Sequence, residues 1–309
     1  MTLLYWAYDD ERAERWAQLF AERAPEWRFK RPSEIADADE VRFLLAWRPP
    51  KDIAQRFPNL EVIFATSAGV DQFDFDRIPA SVPIVRMHDP QIERGVVEYA
   101  SFATLYLHRD IDRYQRQQRA GLWQPHRPVA AGQRRIGILG LGRLGRAIAE
   151  RLRSLGFQVG AWSRSAHRID GIDCFYGADG RNQLLADTDI LINILPLTES
   201  THSLLDSSLF ARLPRGAGLI NIGRGAHLVE ADLIAALNDG QLRAAVIDVV
   251  GEEPPPDDHP FWQDARILMT PHIAAMTDPD TAFEVLLANL RRYQAGEPMH
   301  GVVDRGLGY

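Results

Sequence analysis

Short apolar runs rich in β-branched and aromatic residues alternate with amphipathic helical patterns along most of this chain. That alternation restricts it to one fold class. LLYWAY is followed by the helical pattern ERAERWAQLFAER, then by RFLLAW and EVIFAT. A second series opens at RRIGILG and continues through FQVGAWS, DILINIL, GLINIG, RAAVIDVV and RILMT. Strands separated by helices join through crossovers that pack on a sheet face, so the sheet they form is parallel. Two such series predict an α/β molecule of two doubly wound parallel-sheet domains. The chain's 309 residues, 46% of them hydrophobic, suffice for two domains with a core each.

Between the series, VVEYASFATLYLHRDIDRYQRQQ reads as one long connecting helix, apolar in its first half and polar in its second. DPDTAFEVLLANLRRYQAG opens on acidic residues and Pro279 and closes at Gly296, matching helix start and stop signals. It follows the last strand of the second series and is expected to return to the first domain. The expected division is residues 1–98 plus 273–309 against residues 99–272. Pro254 to Pro256, with Asp257 and Asp258, form the clearest irregular loop.

Lys and Arg number 35 against 42 Asp and Glu, a formal charge of −7, with no dense basic run. A nucleic-acid footprint or a membrane-surface footprint is therefore not expected. The start MTLLYWAYDD lacks a basic segment before an apolar one, and no run reaches the roughly 18 apolar residues of a membrane span. The expected location is the cytoplasm. A single cysteine, Cys174, excludes an internal disulfide framework and cannot alone form a zinc site. It is expected as a small buried apolar residue, and no metal site is expected.

Gly140, Gly142 and Gly145 form G-x-G-x-x-G directly after the strand RRIGIL and before the helical pattern RAIAERLRSLG. In a strand-turn-helix context the first glycine permits the turn, the second lets backbone approach a pyrophosphate, and the third allows helix and strand to pack closely. The helix N-terminus then offers N–H groups to phosphates. The next strand, FQVGAW, ends in Ser163 and Arg164, where an NAD enzyme would usually carry an acid for the ribose hydroxyls. A hydroxyl and a guanidinium there suit a 2′-phosphate, so NADP(H) is the expected cofactor and NAD(H) the alternative. A solvated arginine on a surface turn is the competing reading of Arg164.

Three polar groups stand at the carboxyl ends of successive strands of the second series: Arg224 in NIGRGA, Glu253 in DVVGEEPPP and His272 in TPHIAA. Open α/β sheets bind ligands at that edge. Reducing a 2-oxo acid by hydride transfer needs a cation for the carboxylate, a proton donor for the alkoxide and a group that holds the donor. Singly, each residue has an ordinary structural reading; the combination with the glycine loop makes them the candidate catalytic set.

The order GLGRLG, LPLT at Leu195 to Thr198, NIGRG, DVVGEEP and PHIAA resembles the D-isomer-specific 2-hydroxyacid dehydrogenases. In that family the catalytic Arg, Glu and His match Arg224, Glu253 and His272. The resemblance further implies that Arg143, Leu144, Leu195, Pro196, Ile222, Gly223 and Asp248 line the cofactor. It also implies a flavodoxin-like substrate domain in the first series, a Rossmann-like nucleotide domain in the second and an active site in the cleft between them. SAGVD resembles the family's loop whose backbone amides hold the substrate carboxylate, which maps to Ala68, Gly69, Val70 and Asp71; a tight strand-to-helix turn would equally need Gly69.

LAWRPP, with Trp47, and the terminal GVVDRGLGY resemble the family's glyoxylate/hydroxypyruvate reductase A branch, where Trp47 walls the pocket unless it is a core tryptophan. Small 2-oxo acids are the implied substrates, protonated by His272 with Glu253 orienting it and Arg224 fixing the carboxylate. A bulkier substrate such as phenylpyruvate, a D-3-phosphoglycerate dehydrogenase and a dinucleotide-sensing corepressor are the rivals. Val250 stands where many relatives carry an aromatic, and altered packing is expected there. Trp123, in RQQRAGLWQPHRPVAAG, is a candidate dimer contact, and a homodimer is the expected state.

Overall fold

The structure, a computed structural model, describes residues 1–306. It divides into two compact units, Met1–Ile92 with the chain from Thr277 on, and Glu93–Met276. The first unit runs β1 (Thr2–Trp6), α1 (Asp10–Arg23), β2 (Arg28–Lys30), β3 (Val41–Ala46), α2 (Ile53–Arg56), β4 (Val62–Ala65) and β5 (Ile84–Val85). Its sheet is wholly parallel in the order β2-β1-β3-β4-β5, the flavodoxin-like order, with its switch point between β1 and β3. β2 and β5, at three and two residues, are too short to show an alternation and leave no sequence signal.

The second unit contains most of α3 (Pro90–His108), then α4 (Ile111–Arg119), β6 (Arg135–Leu139), α5 (Arg143–Ser154), β7 (Gln158–Ser163), β8 (Asp173–Tyr176), α6 (Gly177–Ala186) and β9 (Ile190–Asn193). It ends with α7 (Ser207–Phe210), β10 (Ala217–Asn221), α8 (Glu230–Asp239), β11 (Leu242–Ile247) and β12 (Ile267–Met269). These strands form a parallel sheet ordered β12-β11-β10-β9-β6-β7-β8. The chain steps outward from β6 to β8 and then returns to β9 on the other side of β6, which places the switch point between β6 and β9. Every residue of β9 and β10 is buried, as a parallel strand covered on both faces requires.

The expected single connecting helix is two. Asp110 adopts a left-handed conformation (φ 52°), which breaks the helix between α3 and α4. Aspartate tolerates that region better than most residues, and Asp112, buried just beyond, accepts from Arg243 on β11 at 2.9 Å. Cys174 also departs from expectation: it lies on edge strand β8 and is only half-buried.

In the first unit, α9 (Pro279–Gln294) starts at an Asp278 cap that accepts from the Asp280 and Thr281 amides. It packs on α1, with the Trp16 indole donating to the Pro279 carbonyl at 2.7 Å and Phe283 edge-on to Phe20. The following segment bridges Val302 to Val85, and Arg305 donates to the carbonyls of Ile78 (2.8 Å), Pro79 (2.9 Å) and Val82 (2.6 Å). Leu307 to Tyr309, the end of the GVVDRGLGY segment, lie outside the described residues.

Candidate active site

The glycine loop leaves β6 at the switch point. Gly140 has φ 112°, reserved in practice for glycine, and its amide donates to the Trp162 carbonyl on β7 at 2.9 Å. A Cβ on Gly145 would lie 1.7 Å from the Gly140 carbonyl oxygen, so the start of α5 lies against the turn only because no side chain intervenes. Gly142, the N-cap of α5, is exposed and has open space where a Cβ would go. The first-turn N–H groups of α5 thus face an open cradle that fits a pyrophosphate.

Arg143 opens α5 and pairs with Glu93 at 2.5 Å; Leu144 beside it is half-buried. Ser163 and Arg164 follow at the end of β7, one strand from Gly140, with the Ser163 hydroxyl donating to the Ser165 carbonyl at 2.7 Å. Leu195 and Pro196 follow β9, while Ile222, Gly223 and Arg224 follow β10. The carboxyl edge of one sheet therefore carries all the predicted cofactor positions together with Arg224.

His272 Nδ1 lies 2.8 Å from Glu253 Oε2, both side chains part-exposed. Burial alone would raise the Glu253 carboxyl, but the hydrogen bond and charge of His272, the Val250 amide and Arg224 outweigh it and hold it below the ordinary glutamate value. An ionised Glu253 can only accept, so Nδ1–H donates to it and Nε2 is left as the nitrogen free to exchange a proton. His272 itself sits at φ 55°, an uncommon conformation for a residue with a side chain. Its turn is held by Asp248, whose buried carboxylate accepts from the Thr270 hydroxyl (2.6 Å) and from the amides of Ile273 and Ala274 (2.9 Å each). Tyr99, on α3, bonds the same Thr270 hydroxyl.

Arg224 and Glu253 come near one another through a backbone contact. A Cβ on Gly225 would lie 1.8 Å from the Val250 carbonyl oxygen, so the Arg224 turn packs directly on the strand end that leads to Glu253. Val250 is buried in this unit's core. The Arg224 guanidinium, half-buried, donates to the Gly223 carbonyl at 2.8 Å.

In the first unit, Trp47 and the 66–70 turn follow β3 and β4 at the carboxyl edge, next to that sheet's switch point. Trp47 is 45% exposed with the Arg48 guanidinium over its ring, so it is not a core tryptophan. Ala68 and Gly69 are half-buried, whereas the Val70 side chain points into the core. The turn is braced by the Ser67 hydroxyl donating to the Gly69 carbonyl at 2.8 Å and by the Gln72 amide donating to that hydroxyl.

Sequence reasoning passed over the bracing groups. Asp248 holds the His272 turn, a task not assigned to it, and Asn193, Asn221 and His227 form a buried cluster beneath Arg224. Polar residues at the inner ends of apolar strands were the available signal for the asparagines.

The second unit matches the model for the D-isomer specific 2-hydroxyacid dehydrogenase NAD binding domain over residues 102–274. A glyoxylate/hydroxypyruvate reductase A from Serratia proteamaculans is 42% identical over 305 residues, covering 96% of each chain. A D-isomer specific 2-hydroxyacid dehydrogenase from Xanthobacter autotrophicus, solved with NADPH and MES, has a TM-score of 0.93 at 36% identity, covering 100% of this chain and 99% of its own. An NADPH-dependent glyoxylate/hydroxypyruvate reductase from Sinorhizobium meliloti, solved with NADP and sulfate, has a TM-score of 0.92 at 30% identity over 100% and 99% of the two chains. Fold, motif order and these likenesses agree: the chain belongs to the D-isomer-specific 2-hydroxyacid dehydrogenase family, whose members are NAD(P)-dependent oxidoreductases.

Proposed function

We propose that this chain reduces a small 2-oxo acid of the glyoxylate/hydroxypyruvate type to the D-2-hydroxy acid, preferring NADPH. The observation that carries the reading is the His272–Glu253 pair, mounted on a turn that Asp248 locks, at the sheet edge that also holds the glycine cradle. The dinucleotide, when bound, supplies the hydride. Gly140, Gly142 and Gly145 with the start of α5 would hold its phosphates, and Leu195, Pro196, Ile222, Gly223 and Asp248, at the same sheet edge, would complete its site. Arg224 grips the substrate carboxylate and stabilises charge growing on the carbonyl oxygen. His272 Nε2 would give its proton to that oxygen, and Glu253 would steady the ring.

The first unit is proposed as the substrate domain, with the Ala68, Gly69 and Val70 amides for the substrate carboxylate and Trp47 for its side chain. Ser163 and Arg164 select NADPH by binding its 2′-phosphate. A homodimer is proposed from the exposure of Trp123 and Leu122, with Phe102 and Leu105 on α3 also exposed. Among the described residues no helix is long and apolar enough to cross a membrane, and the proposed location is the cytoplasm.

The test is steady-state turnover of glyoxylate, hydroxypyruvate, pyruvate and phenylpyruvate with each dinucleotide, with the product's configuration determined. NADPH-linked turnover highest on the two small acids is expected. Higher kcat/KM on phenylpyruvate would move the substrate class, and tight dinucleotide binding without turnover of any acid would favour a sensor.

A further inference from the structure

Beneath Arg224 lies a histidine that the chemistry above does not use. His227 is fully buried. Its Nδ1 accepts from the Arg224 amide at 3.0 Å and faces the Asn193 side-chain amide at 2.9 Å; its Nε2 lies 3.3 Å from the Pro196 carbonyl. A carbonyl only accepts, so Nε2 carries the proton, and two N–H donors converging on Nδ1 require that nitrogen to be bare. The ring is thereby fixed in one neutral tautomer, its two nitrogens tied to two different loops.

Its surroundings are built around it. Asn193 also donates to Asn221 Oδ1 at 2.9 Å, and Asn221 donates to the Arg224 carbonyl at 3.2 Å. A Cβ on Gly223 would lie 2.9 Å from His227 Nδ1 and 2.8 Å from Asn193 Nδ2, so the residue before Arg224 is side-chain-free where the ring needs its space. Arg224 is held through its backbone from both sides, by His227 at its amide and by Asn221 at its carbonyl.

We propose that His227 is a positioning residue that couples the two halves of the site, setting Arg224 for the substrate carboxylate and the 195–196 turn for the dinucleotide. This rests on the function proposed above. Removing the ring nitrogens takes the acceptor from the part-buried Arg224 amide and leaves the Pro196 carbonyl bonded to the Thr201 hydroxyl (2.8 Å) but no longer tied to the Arg224 loop. The loops then relax separately, although no group touching substrate has been altered.

The test is a double-mutant cycle of His227→Phe and His227→Gln with Arg224→Gln, reading glyoxylate KM and kcat, and NADPH Kd by quenching of tryptophan fluorescence. His227→Phe keeps the ring's bulk and should raise glyoxylate KM by about fivefold to 150-fold, the cost of an unmade buried hydrogen bond, and should weaken NADPH binding severalfold. In the Arg224→Gln background the same change should alter KM less than about twofold, because the group it positions is gone. His227→Gln retains an acceptor and a donor and should recover most of the loss. Equal factors in the two backgrounds would overturn the coupling and leave a packing role. Should the Phe variant not fold, the Gln variant decides: whatever KM penalty it shows must disappear without Arg224. Independently of turnover, 15N spectra should show His227 Nδ1 unprotonated, and a proton there would refute the bridge. Absence of wild-type turnover on glyoxylate would instead sink the function, while the spectra and NADPH binding still read His227.

Discussion

His272 occupies a left-handed backbone conformation that histidine adopts more readily than most side chains, and two carboxylates hold it there. Asp248 fixes the backbone turn and Glu253 fixes the ring, so the strain at φ 55° is borne by contacts on both sides. His272→Ala should lower kcat by about two to four orders of magnitude while NADPH affinity changes little; near wild-type turnover across pH would reassign the proton donor. Glu253 supplies a pH signature. Its folded value lies below the ordinary 4.5, so its ionised form favours the folded state above pH 4.5, and that contribution is lost as pH falls through the lowered value. Acid unfolding of Glu253→Gln should accordingly be less steep below pH 4.5 than that of wild type, and superimposable curves would mean the carboxylate is not held as described. At the ribose end, Arg164→Ala should weaken NADPH binding about tenfold to 150-fold, the worth of a charge-assisted hydrogen bond, and leave NADH nearly unchanged. An undiminished NADPH preference would make Arg164 a surface cation.

At the level of elements, the site is assembled by strand ends and by the close approach of the turns that follow them. β6 and β9 flank the switch point, and the glycine turn between β6 and α5 admits α5 only because Gly145 lies against the Gly140 carbonyl. Gly225 does the same after β10, seating the Arg224 turn on the Val250 carbonyl. Gly225→Ala must move one backbone away from the other. A loss of about 1–3 kcal/mol of stability is expected from overpacking, and a fall of up to about 100-fold in kcat/KM from a displacement near 1 Å. Melting curves and kinetics on one preparation measure both, and an unchanged variant would mean the turns are not in contact.

At the scale of the whole molecule, each unit closes its own core on its own parallel sheet. The arm between α4 and β6 stays outside these cores, with Leu122 exposed and Trp123 fully so. A monomer would keep that indole in water, whereas a second copy would bury it. Sedimentation should therefore report a dimer for wild type and a shift toward monomer for Trp123→Ser; a monomeric wild type would leave the arm exposed and the proposed homodimer wrong.

What the sequence determined by itself was whatever depends on local periodicity and on glycine. Runs such as DILINIL and GLINIG carry consecutive apolar residues instead of an alternation because a parallel strand is buried on both faces, so the α/β class was legible without coordinates. Gly140, Gly142 and Gly145 were legible because turn, approach and packing each demand the absence of a side chain at a fixed spacing. Arg224, Glu253 and His272 were legible as residue types at strand ends, though not as a geometry. Only the tertiary structure decided the rest. Strands β2, β5 and β8 exist through the neighbour they pair with, and the break at Asp110 lies inside an unbroken helical pattern. Asp248, Asn193, Asn221 and His227 take their roles from partners up to 34 residues away in sequence, because a buried polar group is defined by what it bonds and only folding brings those partners within reach.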